Sequence, residues 1–209
     1  VITKTLDYSA KDYGKTAVFA ADKFDGIVSF KETNASLQTG LPADWSIQNI
    51  NLDDQVVSLA KQQLLTAMNQ GTALVVYNGH SGPKFWTFDQ LFTTDDASAL
   101  TNSGKPFLVV QWGCWNTYTL DPTRENLAQS LLFSGDKGAA VVMGAMGRAD
   151  SNSEYQLGLL LTPRMTTQGM TIGQALFESK QILGQSNPEK LDVLLGWSLL
   201  GDPAVVVSP

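Results

Sequence analysis

Three stretches of this chain are apolar almost without interruption, and the segments between them carry apolar residues at helical intervals. The runs at 72–78 (TALVVYN), 106–112 (PFLVVQW) and 137–145 (KGAAVVMGA) are rich in β-branched and aromatic residues. Runs of this kind read as strands buried on both faces. A shorter run at 16–21 (TAVFAA) reads the same way. Val57, Ala60, Leu64 and Met68 share one face of a helix predicted over 53–70, with Asp53 as its N-cap and Gly71 closing it. Asp121 and Pro122 are placed as the N-cap and first residue of a second helix, running through Leu127, Leu131 and Leu132 to Gly135. Further helices are expected at 153–165 and 171–183, the latter opened by a capping box of Thr171 and Gln174. The segment 22–52 scatters its polar and aromatic residues and reads as loops and short turns. Leu200-Gly201-Asp202-Pro203 reads as a turn into a last short strand over 204–207.

Strands apolar on both faces, alternating with amphipathic helices, imply an α/β fold: a mostly parallel sheet with right-handed crossovers and helices on both faces. No repeat, low-complexity tract or long linker divides the chain, so 1–209 reads as one domain. In such sheets ligands bind just beyond the carboxyl ends of the strands. Two strands end there in unusual polar sequences. TALVVYN runs into Gly79-His80-Ser81-Gly82-Pro83, and PFLVVQW runs into Gly113-Cys114-Trp115-Asn116. These are the chain's single histidine and single cysteine.

Taken singly, a histidine at a strand end or a cysteine beside a tryptophan is an ordinary structural residue. Both together at the functional edge of one sheet form a candidate catalytic pair. Nucleophilic cysteine chemistry needs a thiolate, a base and donors for the developing oxyanion. Adjacent strands are only about 4.8 Å apart, so an imidazole on one can reach a thiol on the next. The backbone N–H groups of Cys114 and of Ser81 or Gly82 are the candidate oxyanion donors.

Composition narrows the alternatives. The net charge of −6, without any cluster of Lys and Arg, argues against nucleic acid as a partner. No apolar run reaches the ~18 residues of a membrane span, so no membrane insertion by this segment is expected. One cysteine allows no internal disulfide, and one His with one Cys is too few for a zinc site; no metal or cofactor is expected. Asp53-Asp54 and Asp95-Asp96 read as solvated helix starts rather than calcium ligands. Asn34-Ala35-Ser36 is a glycosylation sequon, meaningful only in a eukaryotic secretory route. The opening VITKTLDYSA lacks Met and any leader-like run, and reads as the edge of a fragment of a longer protein.

NGHSG followed by Trp86, the strand leading to Cys114, then KGAAVVMGA, TIGQAL and LLGDPA, in that order, resemble the gingipain-type cysteine peptidases, of the caspase-like clan. The resemblance runs from about Thr16 to the end. It implies a caspase-like three-layer sandwich and a cysteine-type endopeptidase, with His80 as general acid/base and Cys114 as the nucleophile that forms a thioester. It also implies an oxyanion held by the Cys114 amide and one following the histidine. Better-known members have Gly directly after the histidine, whereas this chain reads His-Ser-Gly, so the second donor stays open between Ser81 and Gly82. Some members orient the histidine with an acid, for which Asp22 is the candidate by position. Gingipains proper favour basic residues before the scissile bond; Asp25 and Glu32 lie in the segment where a pocket acid is sought. Trp86, Trp115 and Tyr118 flank the dyad as candidate pocket walls, whereas Trp112 and Trp197 read as core. The resemblance implies peptide or protein substrates, other domains of the same chain as partners, and a secreted, periplasmic or cell-surface setting of bacterial type. The alternative is a catalytically weak or inactive caspase-like domain used for protein binding or self-processing.

Overall fold

The computed structural model describes residues 1–13, 15–119, 121, 123 and 125–207. Its nine strands are β1 Thr16–Ala21, β2 Ser46–Asn51, β3 Leu74–Asn78, β4 Ser81–Gly82, β5 Phe85–Trp86, β6 Phe92–Thr93, β7 Phe107–Trp112, β8 Ala139–Ala145 and β9 Trp197–Gly201. Its helices are α1 Ile2–Ala10, α2 Phe30–Gln38, α3 Val57–Gln70, α4 Thr94–Ala99, α5 Leu127–Phe133, α6 Ser151–Met165, α7 Ile172–Ser186 and α8 Leu191–Leu194.

Six strands form the main sheet in the order β2-β1-β3-β7-β8-β9; the first five are parallel, and β9 closes the edge antiparallel to β8. The central strands bury every residue, as their apolar runs require. Period-two alternation sends Phe19, Val76 and Val110 to one face and Val18, Val75 and Val109 to the other. The first face is covered by α1, α2, α6 and α7, through Tyr8, Leu37, Leu157 and Leu176. The second is covered by α3, α4 and α5, through Leu64, Ala97 and Leu131. The result is three layers with an apolar core on each side of the sheet. β4, β5 and β6 form a small antiparallel sheet just past the end of β3. No helix among the described residues is long and apolar enough to cross a membrane.

Several sequence expectations change. The stretch 22–52 is not loops and turns: it holds α2, capped by Ser29 accepting from Glu32 N, and the edge strand β2. The helix over 53–70 starts later, at Val57, and Asp53 accepts from Phe24 N instead of capping it. Gly71 does close that helix, with φ +98. α5 begins at Leu127 behind an Asn126 cap rather than at Asp121; Pro122 lies outside the described residues. The closing strand is β9, not 204–207, where only Val206 forms a single bridge, to Thr171. At α7, Thr171 accepts from Gln174 N, but the Gln174 side chain turns to Glu178 instead of completing the box. Asp95 and Asp96 lie in the first turn of α4, where Asp96 closes a capping box with Thr93. Asn34 is 1% exposed and donates to Ala20 O, so the sequon sits inside the fold.

Candidate active site

β3 and β7 pair in register, Asn78 opposite Trp112, and Gly79 N donates to Trp112 O at 3.0 Å. His80 and Cys114 stand two residues beyond that last pair, at the carboxyl edge of the sheet. Both line one cavity of about 590 Å³, whose wall also includes Asp25, Arg148, Glu154 and Asp192. The glycine before each of them is there for close approach. A Cβ on Gly79 would fall 2.3 Å from the Asp22 side chain, and one on Gly113 would fall 2.3 Å from Gly79 O.

The His80 ring is held from three sides. Its Nε2 lies 3.0 Å from Asp25 Oδ2. Phe30 meets it edge-on at 5.4 Å, and Phe88 stacks on it at 5.6 Å. Asp25 also accepts from Val28 N and Ile27 N; these amides, more than the imidazole, hold its carboxyl below the usual carboxylate range. Asp22, expected to orient the ring, does not touch it: its carboxylate accepts from the backbone N–H of His80 at 3.2 Å and of Lys23 at 2.8 Å. Asp22 is buried at the end of β1, too close to the strand end to reach beyond the backbone, whereas the turn after it carries Asp25 out to the imidazole.

The Cys114 thiol is half-buried, and Sγ lies 3.5 Å from both Ala149 N and Ala149 O. Burial pushes the thiol up; the Ala149 N–H and the Arg148 charge pull it down, while Glu154 and Asp192 add to the rise. The resting group is therefore a thiol, and a base is required to make it a nucleophile. Among the described residues the Cys114 backbone N–H has no hydrogen-bond acceptor. Ser81 Oγ donates to Cys114 O at 2.7 Å, tying the two strand ends together. Gly82 pairs with Phe85 across a tight hairpin, and Thr87 N donates to His80 O one step along that ladder. That register commits the Gly82 amide to the hairpin and turns the Ser81 amide outward.

Two residues that sequence reasoning passed over shape the site. Asn116 is fully buried: its Nδ2 donates to Gly113 O at 2.7 Å and Gln111 O at 3.3 Å, and its Oδ1 accepts from Ala145 N at 3.0 Å. It clamps the loop that carries the nucleophile, in which Trp115 is held at φ +64. No sequence signal distinguishes it. Glu154 is buried on α6, accepts from Gly113 N at 2.9 Å, and shares its helix face with Leu157 and Leu161. A carboxylate on an apolar stripe was a readable signal. Burial raises its pKa to about 8, the Gly113 N–H opposing this and the Asp192 and Asp150 charges adding to it.

The three aromatic pocket candidates fall elsewhere. Trp86 is fully buried, stacks on Tyr77 at 4.6 Å and donates to Gln111 Oε1, because the hairpin folds it back onto the sheet. Trp115 and Tyr118 pack edge-to-face on each other at 5.5 Å and do not line the cavity. Trp112, stacked on Trp197 at 4.5 Å, reaches the cavity wall from the core. Glu32 lines a neighbouring depression of about 350 Å³ rather than this one. No group of three or more His, Cys, Asp and Glu that could hold a metal ion occurs among the described residues.

A prediction follows from Glu154. Its folded-state pKa of about 8 exceeds the ordinary 4.5, so the folded chain keeps a proton that the unfolded chain releases across that window. The resulting stability is full below the unfolded value and is lost as pH rises through the folded one. Glu154→Gln keeps an acceptor for Gly113 N and removes the titration. It should melt close to the parent near pH ~5 and several degrees above it near pH ~9, a difference on the order of a few kcal/mol. Parallel melting curves across pH would contradict this role.

The model of Peptidase family C25 matches residues 1–208. The complex of Porphyromonas gingivalis RgpB pro- and mature domains superposes with a TM-score of 0.82 at 17% identity, over 98% of this chain and 52% of that one. The Arg specific cysteine proteinase gingipain R (RGPB) does so with 0.74 at 18% identity, over 97% and 48%. A structure described as a protease gives 0.79 at 16% identity, over 98% and 52%. The chain thus shares their fold and spans about half the length of the solved structures it matches. A search of curated proteins finds no match.

Proposed function

The chain belongs to peptidase family C25, and from that premise we propose that it is the cysteine endopeptidase module of a larger protein, working through Cys114 and His80. The observation that carries the reading is the placement of a lone thiol and a lone imidazole at paired strand ends, lining one cavity. In this mechanism Nε2–H of His80 donates to Asp25, leaving Nδ1 to take the Sγ proton. The thiolate attacks the scissile carbonyl carbon, and the oxyanion is received by the N–H groups of Cys114 and Ser81. The imidazolium, stabilised by Asp25, then gives its proton to the leaving amine as the C–N bond breaks. A water deprotonated by His80 hydrolyses the thioester and restores the thiol.

The cavity presents Asp25, Asp150 and Asp192 against one guanidinium, Arg148, beside a Glu154 that burial keeps protonated up to about pH 8. This balance, together with the Arg specificity described for one related structure, supports a basic side chain before the scissile bond. A setting outside the cytoplasm belongs to the same proposal. The raised thiol pKa is the observation favouring the second reading, a weakly active domain used for binding or self-processing. Peptidyl acyloxymethyl ketones with Arg, Lys, Leu or Asp before the ketone separate the two. The first reading predicts an adduct on Cys114, formed at least ~10-fold faster with Arg or Lys. No adduct on the folded protein favours the second.

A further inference from the structure

We infer that the apolar rim beside His80, formed by Phe24, Ile27 and Phe88, seats an apolar side chain directly following the scissile bond, so that this peptidase selects on both sides of its cut. The inference rests on the peptidase reading and deepens it. An imidazolium that protonates the leaving amine must lie on the leaving-group side of the substrate. Whatever flanks His80 away from the thiol is therefore met by the residue that follows the cut.

What stands there is apolar and uncovered. Ile27 is 90% exposed, Phe88 77% and Phe24 56%. Phe88 stacks on the imidazole, and Phe24 and Ile27 stand one residue before and two after Asp25, the residue bonded to it. The presentation is rigid and strained. Phe88 sits in a turn whose flanking Thr87 and Gln90 both hold positive φ, +57 and +58. For a β-branched residue that conformation is costly and persists only where surrounding bonds impose it. Thr87 N is bound by His80 O and the Tyr77 hydroxyl, and Thr87 Oγ1 accepts from Asp89 N. On the other side, Asp25 accepting from Ile27 N and Val28 N closes the turn that projects Ile27. Two fixed turns holding exposed apolar side chains next to a candidate general acid fit a substrate side chain of aromatic or branched aliphatic character.

The test is a series of quenched peptides with one basic residue before the cut and Phe, Leu, Ser or Asp after it. The expected parent selectivity in kcat/KM is at least about tenfold for Phe over Ser, within the range apolar pockets achieve. Phe88→Ser should bring that ratio to within about threefold, and Ile27→Ser should lower it partway. Because each ratio is taken within one enzyme, any effect of Phe88 on His80 itself cancels. A parent ratio near one, or a ratio unchanged in both variants, overturns the inference. If no peptide is cut and Cys114 takes no ketone adduct, the peptidase reading fails and this inference with it, an outcome distinct from unselective cleavage.

Discussion

Cys114→Ala is expected to remove peptide hydrolysis, lowering kcat by about 10^4- to 10^6-fold, and His80→Ala to lower it by about 10^4-fold or more. The reason is the resting state of the thiol. Burial, with the Asp192 charge adding to it, pushes the Cys114 thiol up, so that a base is needed to make the thiolate. Removing the base should therefore cost nearly as much as removing the sulfur, and the double variant should be little worse than either single one. Neither change should disturb the fold: the thiol is half-buried with only sulfur-length contacts to Ala149, and the His80 ring is half-exposed. Hydrolysis of a quenched peptide with a basic residue, alongside thermal melting, separates the chemical loss from a structural one. A His80→Ala variant retaining a tenth of the parent rate would mean that another base serves the thiol. Asp25→Asn should give a milder loss in kcat, because Asp25 acts on the thiol only through the ring.

Asn116→Ala carries the second large effect, and it falls on both stability and rate. Truncation leaves Gly113 O, Gln111 O and Ala145 N without their buried partner. Orphaned backbone groups of this kind cost ~1 kcal/mol or more each, so a loss of roughly 3 kcal/mol is expected, or about 6 to 12 °C in melting temperature for a chain of this size. The same bonds fix the loop that aims Cys114, which places Asn116 as a positioning residue. At temperatures where the variant is still folded, ketone labelling of Cys114 should slow by more than tenfold while the Glu154-dependent pH response of stability persists. A variant that melts early yet labels at the parent rate would assign Asn116 to the fold alone.

Much of this architecture was legible because buried parallel strands are written as unbroken apolar runs. TAVFAA, LVVYN, FLVVQW and AAVVMGA each became a central strand. The edge strand β2 was hidden for the opposite reason: SIQNIN buries only Ile50 and resembles a polar loop. α1 escaped notice because tertiary contacts define it, with the buried Lys4 ammonium donating to Leu131 O, Leu132 O and Lys137 O. The run at 204–207 looked like a strand and is not one, since β9, carrying Trp197 into the core, already occupies the edge beside β8. For the site, strand-end position alone singled out His80 and Cys114. It could not choose between Asp22 and Asp25, which differ by how a turn of a few residues projects them, nor see that the β4–β5 hairpin folds Trp86 inward.

His80 and Cys114 are proposed to act as one unit, and the pH dependence of Cys114 alkylation by iodoacetamide tests this most directly. If they are coupled, the parent should remain reactive well below the range in which an isolated, half-buried thiol ionises, and His80→Ala should lose that low-pH reactivity while recovering at high pH. Superimposable profiles for the parent and His80→Ala would contradict it, and would leave Cys114 a half-buried thiol beside a histidine that does nothing for it.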